Sequence, residues 1–366
     1  MQNMKKRILS VMALALVAAM CLAACGTPPT VSAPSSSAAP AASAAGDASA
    51  PADTPAPAAD AITLRIGHVV ADGTNIDRGL DHFAELVAQK SNGGIVVEIY
   101  PNSALGGNRE MCEQLQMGTL DMAAPSTAFL SAFTDKTALF DLPYLFKSEK
   151  AAWEVMDGEI GQKIDADLLP AGFVNLGWLT QSWRHVTCNN EVHKPADMKG
   201  LKIRVMDSPM HIAHFNSLGA SAVPMAFSEV YTALQQKTID AQENPYSNIK
   251  MSRFDEVQKY IIETGHIYDP CPFLMSEKTW EKLSDDQKTI ISECAKEAID
   301  WERQIAMEMD EEIKAEILAG GKTQIVELTD EERAEFRTAA QPVYDEFGPK
   351  IGEDVIAKVE EINAKY

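Results

Sequence analysis

The sequence predicts an α/β fold that is divided into two domains. Strand-like and helix-like segments alternate from Ile62 onwards, which is typical of sheets flanked by helices. The body formed by residues 62–366 has about 300 residues, more than a single hydrophobic core usually organises. A helical pattern without internal Gly or Pro begins at Ser284 and would extend for about 50 Å, enough to cross both domains.

The first segment of the chain is predicted to be an export signal. Residues 5–7 are basic, residues 8–21 form an apolar run that is too short to span a bilayer comfortably, and Leu22-Ala23-Ala24-Cys25 follows. This ending resembles a bacterial lipobox, which implies that residues 1–24 are removed and that the Cys25 thiol is lipidated. A generic secretory signal with an Ala-x-Ala-like cleavage site is the alternative. We expect an extracytoplasmic protein that is held at the membrane by the lipid on Cys25.

Residues 25–61 are predicted to form a disordered linker. From Thr27 to Asp60 the chain is almost wholly Ala, Pro, Ser, Thr, Asp and Gly, and it contains no aromatic residue. Such a composition buries too little apolar surface to offset the loss of chain entropy on ordering. Its prolines favour extended conformations at about 3 Å per residue, so the linker would reach on the order of 100 Å.

The charge of the chain excludes two classes of partner. The formal net charge is −21, and loss of the three basic residues Lys5, Lys6 and Arg7 with the signal makes it −24. Nucleic acids and anionic lipid surfaces are therefore not expected as partners. The simplest interpretation of the acidic excess is solubility, and a bound anion needs a local basic site.

Four cysteines remain in the predicted mature body: Cys112, Cys188, Cys271 and Cys294. Their spacing matches neither a CxxC motif nor a metal site. Outside the cytoplasm they could pair as disulfides in three ways. Buried free thiols are the interpretation that we favour, and the sequence leaves both open.

The body opens with alternating strands and helices. Residues 62–68 alternate as a strand, a helix is predicted over about 77–90, and a second strand covers 95–100. A helix over 108–117 and a short strand over 120–123 follow. This alternation favours a largely parallel sheet.

The middle of the chain contains most of the remaining strands. Strands are predicted over 173–179 and 184–188, joined by Gln181-Ser182-Trp183, and over 201–205, 221–225, 260–263 and 271–275. A helix is expected over 209–218, and Ser228 is a candidate cap for the helix after it.

The last third is predicted to be mainly helical. Ser284-Asp285-Asp286-Gln287 matches a capping box, and apolar residues then recur at helical spacing over about 284–319. The heptad pattern is too irregular for a coiled coil. A strand over 323–328 and two helical stretches complete the chain.

Motifs of known enzymes are scarce in the sequence. It has no Gly-x-Ser-x-Gly elbow, no phosphate-binding Gly-Lys-Ser/Thr loop, no Gly-x-Gly-x-x-Gly and no His-Glu-x-x-His. His211 and His214 lie three residues apart on a predicted helix, but no further metal ligand is identifiable near them. We therefore expect no catalytic residue, no metal and no cofactor. Gly106-Gly107-Asn108 precedes a helix and is interpreted as a turn at the helix start rather than an anion cradle.

Two arginines are the best candidates for binding an anion. Alternation along 201–205 places Lys202 and Arg204 on the face opposite Ile203. A guanidinium there suits a carboxylate because its planar fork donates two parallel hydrogen bonds. Arg184 follows the connecting segment at a possible domain junction. For either arginine taken alone, an ion pair with an acidic residue on the protein surface is the more common role.

Several ordered motifs resemble the substrate-binding proteins of TRAP transporters. They extend over essentially the whole body, residues 62–366. The motifs are Tyr100-Pro101-Asn102-Ser103-Ala104-Leu105-Gly106-Gly107, Glu113-Gln114-Leu115-Gln116, Leu142-Pro143-Tyr144, Ala196-Asp197-Met198-Lys199-Gly200-Leu201-Lys202-Ile203-Arg204-Val205, Leu218-Gly219-Ala220, Pro224-Met225-Ala226-Phe227-Ser228-Glu229-Val230-Tyr231 and Ile239-Asp240-Ala241-Gln242-Glu243-Asn244-Pro245.

The resemblance implies a two-lobed, periplasmic-binding-protein-like α/β fold with a ligand cleft between the lobes and a long interdomain helix. We expect lobe I to comprise 62–181 and about 270–309, and lobe II to comprise 182–269 and about 310–366. The helix over about 284–319 would cross both.

The resemblance also implies roles for particular residues. Arg204 would clamp a ligand carboxylate, Arg184 and Asn244 would supplement it, and Phe227 would pack on the ligand. His68 and Ser126 fall where relatives usually contact the ligand on lobe I. Relatives that bind sialic acid carry a glutamate and, three residues later, an arginine where this chain has Ser126 and Phe129. This difference argues against sialic acid.

The predicted function is capture of a small organic anion, such as a C4-dicarboxylate or a sugar acid. The resemblance implies delivery to the membrane subunits of a TRAP permease, for uptake driven by an ion gradient. A binding protein that feeds a sensor is one alternative. A secreted hydrolase is another, disfavoured by the missing motifs.

Overall fold

The computed structural model describes residues 55–58 and 60–366. The predicted signal, Cys25 and most of the predicted linker lie outside the described residues. Residues 55–58 have no regular secondary structure, and the Ala58 N–H donates to the Gly93 carbonyl at 2.9 Å.

The described chain contains two β-sheets with helices around them. The strands are β1 Ile62–Gly67, β2 Ile95–Tyr100, β3 Met122–Ala123, β4 Phe173–Trp183, β5 His185–Cys188, β6 Lys202–Val205, β7 Ser221–Pro224, β8 Ala241–Asn244, β9 Tyr260–Ile262, β10 Tyr268–Ser276 and β11 Gln324–Val326. The α-helices are α1 Asn75–Lys90, α2 Asn108–Met117, α3 Glu149–Asp157, α4 Glu159–Leu168, α5 Pro209–Ser217, α6 Val230–Gln235, α7 Tyr246–Met251, α8 Glu277–Trp280, α9 Asp285–Gly320, α10 Asp330–Ala339, α11 Gln341–Ile351 and α12 Glu353–Asn363.

The first sheet has the strand order β2-β1-β3-β10-β4, and the second has the order β11-β9-β5-β8-β6-β7. In the first sheet, β1 runs parallel to β2 and β3, whereas β10 is antiparallel to both of its neighbours. In the second sheet, β6 is parallel to β7 and β8, whereas β5 is antiparallel to β8 and β9. Both sheets are therefore mixed.

The prediction of a largely parallel sheet is wrong, and the path of the chain explains why. The chain leaves the first sheet along β4 and enters the second along β5. It returns from β9 of the second sheet to β10 of the first. Because the outgoing and returning segments run in opposite directions, β4 pairs antiparallel with β10 and β5 pairs antiparallel with β9.

The long helix α9 is confirmed, with the predicted cap at its start. Ser284 Oγ accepts a hydrogen bond from the Gln287 N–H at 3.2 Å, and Gln287 Oε1 accepts one from the Ser284 N–H at 2.9 Å. In its first half, Ile291 and Ala298 belong to the apolar core beside the first sheet. In its second half, Met309 and Ile317 belong to a core of the second sheet. One helix therefore contributes to the packing of both halves.

Some helices differ from the sequence prediction. Ser228 does not cap α6, because a short 3₁₀ turn over Phe227–Glu229 precedes the helix and Glu229 occupies the cap position. The helices α3 and α4 were not predicted. The chain ends in three helices rather than two, and Val343 of α11 and Val359 of α12 share a core with Val155 of α3 and Ile164 of α4. The lobe limits stay a prediction.

The four cysteines of the body are free and buried in the described structure, in agreement with the favoured interpretation. Burial raises the pKa of the Cys112 thiol to about 12. None of the helices in the described part combines the length and the apolar character needed to cross a bilayer.

Candidate functional site

A small cavity, partly open to solvent, lies between the two sheets. It offers about 20 Å³ to the centre of a water-sized sphere. Several of its wall residues follow the carboxyl ends of parallel strands, where ligands bind in open α/β sheets. The wall is formed by Val69, Val70, Asn108, Ser126, Phe129, Gln181, Arg184, Arg204, Met206, Phe227, Asn244 and Asn248.

Arg204 carries a buried positive charge into this cavity. Strand β6 buries Ile203 in the core of the second sheet, and alternation turns the next side chain to the opposite face. The Arg204 Nε and Nη2 groups both donate to the Met225 carbonyl, at 3.0 and 2.9 Å. The Nη1 group is buried and has no hydrogen-bond partner within the described structure. The guanidinium lies 5.8 Å from the centre of the Phe227 ring, within cation–π range.

Arg184 lines the same cavity, but two carboxylates of the protein already hold it. Its Nε and Nη2 groups donate to the Glu243 carboxylate at 2.5 and 2.9 Å, and its Nη1 group donates to Asp269 Oδ2 at 2.5 Å. All three side chains are essentially inaccessible to solvent. Arg184 therefore forms a buried ion-pair network, as the cautious interpretation of an isolated arginine allowed.

The acid–base properties of Arg204, Glu243 and Asp269 follow from this arrangement. Burial lowers the pKa of the Arg204 guanidinium to about 10, so it stays charged at neutral pH. Burial alone would raise the pKa of Glu243, but the neighbouring Arg184 outweighs it and holds that pKa well below its usual range. Burial raises the pKa of Asp269 despite the opposing effect of Arg184.

A chain of amide side chains surrounds the charged groups. Asn244 Nδ2 donates to Gln242 Oε1 at 2.5 Å, and Asn248 Nδ2 donates to Gln181 Oε1 at 2.6 Å. Gln181 Nε2 and Ser126 Oγ each donate to a different oxygen of Asp269, at 3.2 and 2.8 Å. These bonds fix the orientation of the cavity wall before any ligand arrives.

The structure brings five of the six candidate binding residues to one cavity. Arg204, Arg184, Asn244, Phe227 and Ser126 line it.

His68 does not belong to the lining, although Val69 and Val70, which follow it, do. His68 Nε2 lies 3.2 Å from Asp77 Oδ1, and its Nδ1 has no partner among the described residues. The ligand contacts of all six residues stay predictions.

Sequence reasoning missed several residues of this site. Glu243 and Asp269, which neutralise Arg184, were not identified, although Glu243 lies inside the Glu-Asn-Pro motif. Asn108 was interpreted as part of a helix-start turn, yet its Oδ1 is buried and has no partner within the described chain. Met206 and Asn248 carried no signal beyond their proximity to motifs.

The two histidines of α5 lie away from the cavity lining. His211 and His214 are buried, and His211 Nε2 is 3.9 Å from Asp141 Oδ1. Within residues 55–58 and 60–366, no group of three or more His, Cys, Asp or Glu side chains is arranged to hold a metal ion.

Residues 66–350 match the family described as bacterial extracellular solute-binding protein, family 7. The chain belongs to this family. A family 7 relative, the C4-dicarboxylate-binding periplasmic protein DctP of Rhodobacter capsulatus, is 36% identical over 308 residues, which cover 84% of this chain and 92% of the relative. A solute-binding protein of Verminephrobacter eiseniae is 35% identical over 303 residues, which cover 82% of this chain and 90% of the relative.

Solved structures of similar proteins confirm the fold. A TRAP periplasmic solute-binding protein of Shewanella oneidensis with bound succinate is 35% identical, has a TM-score of 0.81 and covers 83% of this chain and 99% of its own. The sugar acid binding protein DctPAm of Advenella mimigardefordensis, in complex with galactonate, is 32% identical with a TM-score of 0.81, and the match covers 84% and 99%. The predicted two-lobed α/β fold with a long helix is thereby confirmed, as is solute binding of the TRAP type.

Proposed function

We propose that this family 7 protein captures a small organic anion outside the cytoplasm through Arg204 and delivers it to a TRAP permease. The observation that carries the proposal is the buried Arg204 guanidinium, whose Nη1 group is unpartnered in a cavity between two sheets. A buried, unpaired charge is unfavourable, and a ligand carboxylate would supply the missing counter-charge. The similar proteins whose structures contain bound succinate or galactonate support a carboxylate as the ligand group.

Binding would proceed by closure of the lobes around the ligand. In the open form, water solvates both the Arg204 guanidinium and the free carboxylate. Closure removes that water and strengthens the charge-assisted hydrogen bonds between the two groups. Arg184 would assist mainly by orienting the wall, because its charge is already matched by Glu243 and Asp269. Asn244 and Phe227 would contact the rest of the ligand.

Two alternatives make different predictions. A receptor that feeds a sensor would bind the same ligand, and a permease gene next to its own gene would distinguish the transport role. A secreted hydrolase would convert the ligand, and incubation of captured ligand with the protein would reveal turnover. We propose a binding protein without catalytic activity, because the charged groups of the cavity are bound to each other or to backbone.

The location of the protein is the second part of the proposal. We infer that Cys25 is lipidated and that residues 26–61 connect the lipid to the body. Multiple acyl chains anchor a protein stably, whereas one chain binds only marginally. The wild-type protein should therefore sediment with membranes, and Cys25→Ser should appear in the soluble fraction. A wild-type protein that is soluble and carries no lipid would contradict this part alone.

The test of ligand binding begins with the ligand itself. Mass spectrometry of small molecules released from protein purified without refolding should identify an organic acid. Titration calorimetry with that acid should then show weaker binding by Arg204→Lys and Arg204→Ala, by roughly tenfold to a little over a hundredfold. Lysine keeps the charge but loses the planar fork. Wild-type affinity in Arg204→Ala would show that Arg204 is not the clamp.

A further inference from the structure

The charges around the cavity are limited in number. Among the twelve residues that line it, Arg184 and Arg204 carry the only ionisable side chains. Two carboxylates lie directly behind the wall, and both bind Arg184: Glu243 at 2.5 Å and Asp269 at 2.5 Å. All four groups are at most 1% exposed. The cavity therefore contains two positive and two negative charges without a ligand.

Burial raises the pKa of Asp269, but the Arg184 guanidinium at 2.5 Å and the other donors on its oxygens favour the ionised form, so Asp269 counts as negative. Its Oδ1 accepts from Ser126 Oγ, and its Oδ2 accepts from Gln181 Nε2 and from Arg184 Nη1. Three donors directed at two oxygens favour the ionised carboxylate. One ligand carboxylate would pair with Arg204, the cation that lacks an acidic partner in the described structure. A second ligand carboxylate would find no further cation in the lining.

The other ten wall residues carry no charge: five are polar and five are apolar. The apolar residues Val69, Val70 and Phe129 come from segments that follow β1 and β3 of the first sheet. Met206 and Phe227 come from segments that follow β6 and β7 of the second sheet. An ionised group placed against the apolar side chains loses its hydration without compensation, whereas burial of an apolar group there is favourable. The wall thus favours an uncharged ligand tail.

We propose that the ligand is a small monocarboxylate with an uncharged tail, and that Phe129 excludes a second carboxylate. This inference rests on the proposed function, because it assumes that Arg204 binds the carboxylate. Asn108 adds one detail. Its buried Oδ1 is an acceptor without a partner in the described chain, so a ligand hydroxyl has a place to donate. Hydroxy monocarboxylates therefore fit better than their unsubstituted counterparts.

Matched pairs of acids test the inference. Each pair has the same carbon number and differs only in whether the far end is a methyl or a carboxylate: butanoate with succinate, and 2-hydroxybutanoate with malate. Titration calorimetry on the ligand-free, full-length protein should show that the monocarboxylate binds at least about a hundredfold more tightly than the dicarboxylate of the same pair. Equal or tighter binding of the dicarboxylate in both pairs would overturn the inference.

Substitution of Phe129 provides a second, independent test. Phe129→Lys places an ammonium on the side of the cavity that the first sheet forms. The affinity for succinate relative to butanoate should therefore rise at least about tenfold. Phe129→Leu is the matched control, since it removes the ring and keeps the wall apolar. It should leave the preference for the monocarboxylate within about threefold of wild type. An unchanged preference in Phe129→Lys, with wild-type unfolding behaviour, would show that Phe129 does not set the specificity.

The outcomes separate this inference from the function on which it rests. If dicarboxylates bind tightly and Arg204→Ala abolishes the binding, the function stands and the monocarboxylate assignment is wrong. If neither member of any pair binds to the folded protein and the released ligand is not a carboxylic acid, the proposed function itself is wrong.

Discussion

The two arginines of the cavity differ in what they do for the protein, although both are buried. Arg184 is held by two carboxylates and belongs to the folded framework. Arg204 has only the Met225 carbonyl and an unpartnered Nη1 group, so its charge is unfavourable until a ligand arrives. The same residue type therefore stabilises the fold at one position and weakens the ligand-free state at the other.

This contrast predicts opposite effects on stability. Arg184→Met leaves Glu243 and Asp269 buried without a cation, so the free energy of unfolding should fall by about 3–5 kcal/mol. Arg204→Met removes an unpaired buried charge and should leave the stability of the ligand-free protein unchanged or higher. Urea unfolding of the two variants measures both effects. Equal destabilisation by the two substitutions would mean that Arg204 has a partner that the structure does not show.

Sequence reasoning at the residue scale succeeded where a local pattern was sufficient. Alternation along β6 turned Arg204 away from the core, and the structure confirms that placement. The partners of Arg184 were missed because they lie 59 and 85 residues away along the chain. No local pattern predicts which distant carboxylate will meet a given arginine, since that depends on how the strands are ordered in the sheets.

At the scale of elements, the contact between α1 and α9 depends on a small residue. A Cβ atom built on Gly79 of α1 would lie 2.6 Å from Cγ and 2.8 Å from Cβ of the buried Glu302 of α9. Neither atom belongs to the flexible end of that side chain. The two helices can therefore approach closely only because position 79 has no side chain.

Gly79→Ala should consequently lower the free energy of unfolding, by about 1–3 kcal/mol, because it overpacks the helix contact. Gly320→Ala is the matched control. Position 320 lies at the end of α9 with no atom within 4 Å of the added Cβ, so the substitution should raise stability by up to about 1 kcal/mol. Thermal unfolding of Gly79→Ala and Gly320→Ala, each against wild type, measures both effects. A stabilising effect of Gly79→Ala would show that α1 and α9 are farther apart in solution.

Helix α9 also contains the carboxyl group of Asp310, whose ionisation should make the free energy of unfolding depend on pH. Burial raises the pKa of Asp310 to about 7, and the Ser182 hydroxyl next to it has only a smaller, opposing effect. The unfolded chain has a lower pKa at this residue, so the folded state binds the proton more tightly. The stabilising contribution is complete below about pH 4 and is lost as the pH rises to about 7.

Asp310→Asn should remove this pH-dependent contribution to the free energy of unfolding. The variant should gain about 1–3 kcal/mol relative to wild type between pH 4 and pH 8, because it has no proton to lose. Asp300→Asn, at an exposed position of the same helix, is the control and should show no such gain. Urea unfolding at the two pH values gives the comparison, and parallel pH profiles of wild type and Asp310→Asn would contradict it.

Elements with a strong local signal were predicted closely, and others were not. The capping box and the apolar stripe located α9 to within about one residue at each end. The strand predicted over 173–179 continues as β4 to Trp183, so the predicted connecting segment 181–183 belongs to the strand, with Ser182 at a φ of 74°. Its partner β10 supports this unusual backbone, and pairing with a later strand is invisible in the local sequence.

At the scale of the whole molecule, we expect ligand binding to require motion between the two halves. The cavity is narrow, and polar contacts join the two sides around it. Ser247 Oγ of α7 donates to Asn75 Oδ1 of α1 at 2.9 Å, and Arg109 Nη2 lies 3.5 Å from Asp207 Oδ2. A ligand can enter only if such contacts separate.

Small-angle scattering should therefore detect a change on binding. The ligand-free protein should have the larger radius of gyration, and saturating ligand should reduce it. Because the ligand binds the folded protein, the unfolding temperature should also rise with its concentration. Arg204→Met is the control and should show neither effect at the same concentration. A constant radius of gyration at saturation would mean that the lobes do not close over the ligand.

The path of the chain through the first sheet has a consequence for the time at which the protein folds. Strand β10, at Tyr268–Ser276, lies between β3 and β4, so the sheet stays in two pieces until this late segment has been made. At about 5–20 residues per second, the ribosome needs on the order of ten seconds to proceed from β3 to β10. During that interval the nascent chain lacks a complete sheet in either half. If the first 24 residues direct export, this delay keeps the precursor unfolded while it is threaded across the membrane.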